Sequence, residues 1–310
     1  MKLVCAIFAT SLFALLLSSA PVGAQDVPKD YQEVLAFLGR TGDFKAKVLK
    51  INVPRNDLKV TIAGQSTPTP FGFGGWVAMT KGEGGGEVLM GDLVLTQDEV
   101  NPVMSALLEH GIEVTALHNH FFFEEPRLFY MHVHGHGDAM NLARSIKPAL
   151  DLIPKPPATA PSAAPATAPV GPAFNLVALD KIVGQQGESL GSVYKFTLGR
   201  DDLNLKEHGA PINARMGLNS WAALAGNEAD PQIAGDIAMR ESEVEPVLKA
   251  LRSHKLDVVA IHHHMLSTQP TVIFLHYWGR GSAEELAIGF RAALDQLEPG
   301  SPRANSCART

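Results

Sequence analysis

Cysteine is almost absent from this chain of 310 residues: only Cys5 and Cys307 occur. With Cys5 at the very front, no internal disulfide framework is available, and stability must come from packed cores or bound metal. There is also no excess of positive charge. Lys and Arg total 26 against 32 Asp and Glu, a net charge of −6, so the global field that holds a nucleic-acid backbone is missing. Nucleic acid is therefore set aside as a partner. Beyond the N-terminal stretch no apolar run is long enough to cross a bilayer, which argues against a membrane span. No serine sits in a nucleophile elbow, and Cys307 has no histidine near it in sequence, so covalent catalysis has no support. What the chain does have is 12 histidines, and their placement is informative.

Lys2 is followed by an almost uncharged run over 3–17 and then by the small residues Val22, Gly23 and Ala24. This is the order of a secretory signal peptide, 1–24, and predicts cleavage near Ala24 and a secreted or periplasmic product. The tail, 299–310, carries Cys307, to which no role is assigned.

Residues 152–173 read LIPKPPATAPSAAPATAPVGPA, with no apolar periodicity and proline every few positions. Such a segment acts as an extended spacer. On either side of it the chain repeats itself. A shift of 144 superposes Asp92 on Asp236, Glu99 on Glu243, His110 on His254, His118 on His262, His120 on His264 and His132 on His276. Upstream a shift of 145 superposes Gly42 on Gly187, Asp57 on Asp202 and Trp76 on Trp221. The domain reading is thus a first repeat at 25–151 and a second at 174–298.

Within each repeat, 31–38 and 176–183 predict a short opening helix, and 45–53 and 193–198 predict strands. The glycine-rich stretch 71–86 reads as loop. A strand over 88–95 leads to Thr96 and Glu99, a capping box for a helix ending near His110 and Gly111. Strands over 113–120 and 128–134 and a helix over 138–150 complete a β-α-β-β-α order. The fold class is α+β with internal duplication, each repeat an antiparallel sheet with helices packed on it around a ferredoxin-like split core.

In a strand, residues two apart share a face. His118 and His120 therefore point one way, and on the return strand Tyr130, His132, His134 and His136 share a face. A hairpin centred on Glu125 sets His118 directly opposite His132; in the second repeat a centre at Gln269 sets His262 opposite His276, with His264 two residues on. Three imidazoles with an open position are a common metal site, so His118, His120, His132, His134, His262, His264 and His276 are candidate ligands for a divalent transition metal, zinc foremost, with one site in each repeat. Glu124 and Glu125 in the first hairpin turn are the nearby acids, and Glu124 is the candidate catalytic residue. The alternative is a satisfied polar network where the two repeats meet, without any ion.

Other residues have plainer readings. His110 and His254 suit helix C-termini. Asp92 and Asp236, each after a glycine, read as hydrogen-bonded turns, with ligand or base as the alternative. Trp76 and Trp221 read as core, and 82–86 (GEGGG) as a flexible turn. His263 points off the common face by parity.

The paired motifs, His118, His120, Pro126, His132, Gly135 and Gly137 with their partners 144 residues on, resemble the LppY/LpqO family, also called the DUF1259 domain, in two copies. The resemblance covers both halves. It implies an exported protein but no reaction, and the lipobox of the family's mycobacterial lipoproteins is missing here. A narrower likeness is to the cupin metal motif, since His118, His120 and Glu124 have H-x-H-x-x-x-E spacing; the second repeat, with Thr268, lacks the acid.

Two functional readings follow. One is an exported metal-dependent hydrolase acting on an amide or ester of the cell envelope, or another small-molecule substrate. The other is a non-catalytic binding or structural module in which the two repeats pair within the chain as a pseudo-dimer.

Overall fold

A computed structural model gives the structure of residues 26–154, 172, 174–226 and 229–298. The expected signal peptide, nearly all of the linker and the tail lie outside the described residues.

The first repeat runs α1 (Lys29–Leu38), β1 (Gly42–Lys45), β2 (Val48–Pro54), β3 (Val60–Ile62), β4 (Gln65–Thr67), β5 (Gly74–Lys81), β6 (Glu87–Thr96), α2 (Gln97–Glu109), β7 (Glu113–His118), β8 (Glu124–Glu125), β9 (Leu128–Gly137) and α3 (Ala139–Asp151). The second runs α4 (Leu176–Val183), β10 (Glu188–Leu190), β11 (Val193–Gly199), β12 (Lys206–Glu207), β13 (Ala210–Pro211), β14 (Asn219–Ala225), β15 (Gln232–Arg240), α5 (Val244–Ser253), β16 (Asp257–His262), β17 (Val272–Arg280) and α6 (Ala283–Leu294). Each repeat builds a six-stranded antiparallel sheet, ordered β1-β2-β5-β6-β9-β7 and β10-β11-β14-β15-β17-β16. The order β6-β9-β7 around α2 is the split arrangement expected, and β5 flanks β6 from upstream.

Local chemistry explains the helix limits. Thr96 and Glu99 form the capping box of α2, the Thr96 N–H donating to Glu99 Oε2 at 2.8 Å. Helices α1 and α4 stop at Gly39 and Gly184, both left-handed (φ 58° and 84°), where a side chain would be strained. In α1, Tyr31, Val34 and Leu38 share one stripe and are buried against the sheet; Leu142, Ile146, Ala149 and Leu150 do the same in α3. Each helical layer thus closes one face of its own sheet around a core of apolar side chains.

The opposite faces of the two sheets pack on each other. Val48, Ala78 and Met90 share a core with Leu203, Leu218 and Phe274, and Phe71, Phe121 and Tyr130 share another with Val193, Ala223 and Trp278. The segments at 55–73 and 200–218 reach across, each lying on the other repeat's sheet. Gly217 in the second arm sits so close to the first sheet that a Cβ there would lie 3.1 Å from the Trp76 ring and 3.4 Å from His264 Nδ1, and its φ of +90° also demands glycine.

A buried arginine anchors each arm. Arg55 donates to Asp57, to Glu99 (2.6 Å) and to the Val94 carbonyl; Arg200 does the same with Asp202, Glu243 (3.0 Å) and Ala238. This accounts for the coincidence of Asp57 with Asp202 in the repeat alignment.

The structure corrects three local expectations. The stretch 71–86 contains strand β5, whose alternation is masked by the glycines flanking it. The strand expected over 45–53 is two strands, broken by the positive φ of Ala46 and Lys47. The hairpin register is two residues short of that expected: Tyr130 faces His118 and Ala116 faces His132, and likewise Phe274 faces His262 and Ala260 faces His276. The connection 119–127 is not a tight turn, because β8 leaves to pair with β3. A shift of two preserves parity, so the histidines keep their common face.

Candidate metal centre

The inward face of each sheet carries one row of residues running across the strands at a single level. In the first sheet Asn52, Trp76, Asp92, His132 and Ala116 are successive cross-strand partners on β2, β5, β6, β9 and β7. In the second the row is Thr197, Trp221, Asp236, His276 and Ala260. Neighbours in such a row have Cβ atoms about 4.5–5.5 Å apart. His118 and His262 end the strands beside these rows, and His120 and His264 follow in the loops. Sheet-on-sheet packing then brings six imidazoles into one interface.

Ring centroids lie 3.7 Å apart for His118 and His262, 3.6 Å for His120 and His276, and 3.9 Å for His132 and His264. Every one of these pairs joins the two repeats. Three groups have ligand atoms all within 4.8 Å of one another: His118 with His120 and His276; His118 with His132 and His262; and Asp236 with His262 and His264. The expectation of one self-contained site in each repeat is thereby corrected for the first repeat, while the third group lies wholly within the second. Two of the three groups draw on both repeats, because each sheet turns its histidine face toward the other.

The hydrogen bonding presets these rings. Nδ1 of His118 lies 3.1 Å from the Tyr130 carbonyl, Nδ1 of His262 3.3 Å from that of His263, and Nδ1 of His276 3.2 Å from that of Gly235. A proton held there leaves Nε2 as the lone pair. Nε2 of His118, His120, His132, His262, His264 and His276 is buried with no hydrogen-bond partner. Each such orphan costs about 1–3 kcal/mol unless something ligates it. Burial also keeps the rings neutral, taking His118 down to about 4 and His262 to about 2; His120, His132, His264 and His276 are pushed well below their usual value by burial and by neighbouring imidazoles.

The carboxyl groups differ. Asp236 is buried in β15, its Oδ2 3.6 Å from His264 Nε2 and 4.0 Å from His276 Nε2, and burial raises its pKa. Asp92 stands at the matching place in β6; it keeps one buried oxygen unpartnered, and burial raises it to about 7 against the opposing charges of Lys50 and Lys195. Neither is in a turn, contrary to the sequence reading: a glycine precedes each because the sheet is too tight there, and a Cβ on Gly91 would meet Val133 at 2.8 Å.

Glu124 belongs to none of the three groups. It lies in β8 with both oxygens buried and unpartnered, its pKa raised by burial, and close enough to Tyr130 that its charge helps raise that phenol. His134 is also apart. Two residues beyond His132, it is about 6.6 Å further along the strand, where its Nε2 lies 3.4 Å from Glu207 of the second repeat and its Nδ1 3.9 Å from Glu113. His110 and His254 occupy helix C-caps, His110 against the Ala106 carbonyl, and His263 is exposed.

Sequence reasoning missed Lys50 and Lys195, and it placed the tryptophans in the core, where each packs against a core cluster but also lines a cavity. A cavity of about 760 Å³ runs in from the surface, and its walls include Lys50, Trp76, Asp92, Lys195, Trp221 and, at the histidine interface, His120. His264, His276 and Asp236 also reach it, whereas His118, His132 and His262 do not. Trp76 and Trp221 are half-buried, with the Lys50 and Lys195 ammonium groups 4.5 and 4.3 Å from their ring centres. The available signal was that Lys50 and Lys195 coincide at the upstream shift of 145.

Fold and site together define a duplicated α+β protein with a histidine-lined interface between its repeats. The family described as Domain of Unknown Function (DUF1259) matches residues 32–152 and again 177–296, and the chain belongs to that family in two copies. No curated protein gives a significant match. Among solved structures, EtuB from Clostridium kluyveri is similar at 9% identity over 83% of this chain and 90% of its own, with a TM-score of 0.19. A trimeric bacterial microcompartment shell protein, PduB, is similar at 11% identity over 80% and 87%, with a TM-score of 0.18. Among the described residues no helix is long and apolar enough to cross a membrane.

Proposed function

We propose that this is an exported metal-binding protein of the LppY/LpqO type, whose centre lies between its repeats and acts as a metal-dependent hydrolase on a small envelope-derived amide or ester. The observation that carries the reading is the set of six imidazoles, each with a buried and unpartnered Nε2, drawn from both repeats into groups within ligand reach of one another. Burying so many bare lone pairs is costly without an ion to receive them. Neutral imidazole with one carboxylate suits a divalent transition metal, and zinc is the first choice. When bound, such an ion supplies Lewis-acid polarisation of a carbonyl or phosphoryl oxygen.

The protein's own groups divide by access. His120, His264, His276 and Asp236 reach the cavity, so the first and third groups are open to substrate there; the group of His118, His132 and His262 does not line it and draws on both repeats. Asp92, lining the cavity with a free oxygen, takes the proton-accepting role that the sequence reading gave to Glu124. Export rests on the N-terminal sequence alone.

Elemental analysis of protein purified without a histidine tag tests the first step. About one or more equivalents of a transition metal is expected; less than about a tenth of an equivalent, before and after reloading, removes the proposal. The group of His118, His132 and His262, which spans both repeats away from the cavity, favours a second reading, a non-catalytic pseudo-dimer fastened by an ion. Hydrolysis of a generic ester or phosphodiester that disappears in the His118→Ala, His120→Ala double variant counts against that reading.

A further inference from the structure

The cavity has a charge pattern of its own, distinct from the histidines at its inner end. Lys50 and Lys195 stand at equivalent places on β2 and β11, each with its ammonium over a tryptophan face. They are close enough to repel one another. Among the described residues neither has a carboxylate within ion-pair distance, although Asp92 and Glu188 are near enough to be felt. Lys45 and Arg215 add two further cations to the wall; Arg215 is paired with Asp43. Two half-buried ammonium groups with no carboxylate in direct contact are unfavourable, and an anion placed between them relieves both their desolvation and their repulsion. The indole faces of Trp76 and Trp221 supply flat apolar walls, and about 760 Å³ is ample for a small molecule.

We propose that this cavity binds a small organic oxyanion, a carboxylate or a phosphate, with its charged oxygens between Lys50 and Lys195 and its body lying along Trp76 and Trp221 toward His120 and His276. The inner end of this assignment rests on the metal reading and gives it a substrate class; the lysine end stands without it. A ligand so held presents its uncharged portion to the histidines, where a scissile ester or amide would have to lie.

Calorimetric titration of the full chain with sodium phosphate and with sodium succinate, alongside elemental analysis of the same samples, tests this. Saturable binding of at least one probe is expected, weakened by about tenfold or more in the Lys50→Gln, Lys195→Gln double variant at unchanged metal content. Response to one probe alone identifies which oxyanion the site prefers. Should the double variant fold poorly, the Lys195→Arg variant, which keeps the charge, is expected to retain binding while Lys195→Gln loses it. Absence of saturable binding to either probe up to about 10 mM, or equal affinity in the charge-removing variants, overturns the proposal. Lysine-dependent binding in a protein that carries and takes up no metal leaves this assignment standing and removes the metal centre; the converse result removes only this assignment.

Discussion

His120 lies face to face with His276, ring centroids 3.6 Å apart, although the two belong to different repeats. The equivalent pair, His264 with His132, is set the same way at 3.9 Å. The donors are therefore shared across the interface, and the shared members matter most. His118 and His262 each belong to two of the three groups, whereas His120, His132, His264 and His276 each belong to one.

The effect of substitution should follow that membership. His118→Ala and His262→Ala are each expected to lower bound metal more than His264→Ala does, measured as metal per chain after dialysis. Chelation should lower the melting temperature of the parent protein, since an ion present at about 100 times its Kd contributes about 2.7 kcal/mol. A chelator with no effect on melting would show that nothing is bound.

Cleavage of the chain within 155–171 should leave the halves together. They share two apolar cores and the Thr115 hydroxyl bond to the His264 carbonyl at 2.7 Å, so separation would expose large apolar faces. Native size-exclusion chromatography should show the cleaved protein eluting with the intact chain, with two bands only under denaturing conditions.

Removing either arm anchor should be costly. Arg55→Ala leaves Asp57 and Glu99 without their partner, and breaking a buried ion network from one side costs about 3–5 kcal/mol. Arg200→Ala should cost a similar amount through Asp202 and Glu243. Urea unfolding midpoints check both, and a loss under about 1 kcal/mol would contradict the anchoring role.

Anion affinity should fall as the solution becomes alkaline. Burial lowers Lys50 and Lys195 to about 8; Lys50 also feels Lys195 and Arg215 against Asp43 and Asp92, and Lys195 feels Glu188 and Asp92. Deprotonation through that range removes the cations, so succinate affinity is expected to drop by about tenfold between pH 7 and 9.5. An affinity unchanged over that range would place the anion elsewhere.

Duplication could be read from the sequence because identical residues recur at a constant shift, and helix caps and the common face of the histidines because each depends on spacing within a few residues. Parity put His118, His120, His132, His262, His264 and His276 on one side even though the register was two residues off. What could not be read was which residues stand opposite one another, nor that β5 joins the sheet at all. Asp92 meets His132 only because β6 pairs with β9, and Trp76 meets Asp92 only because β5 pairs with β6. The meeting of the two histidine faces depends on packing between sheets, which no local pattern encodes. His134 shows the converse: it shares the face of His132 but lies one step too far along its strand to join.

The crossed arms also bear on how such a molecule arises. Since each sheet is covered by a segment from its sibling, a single unit would have to associate with another identical unit to be complete, and two such units would make every donor set twice over. Joining them in one gene lifts that constraint. Differences such as Trp278 and Arg280 at the places of His134 and His136 can then stand on one side only, while the six central histidines keep their matched pairs.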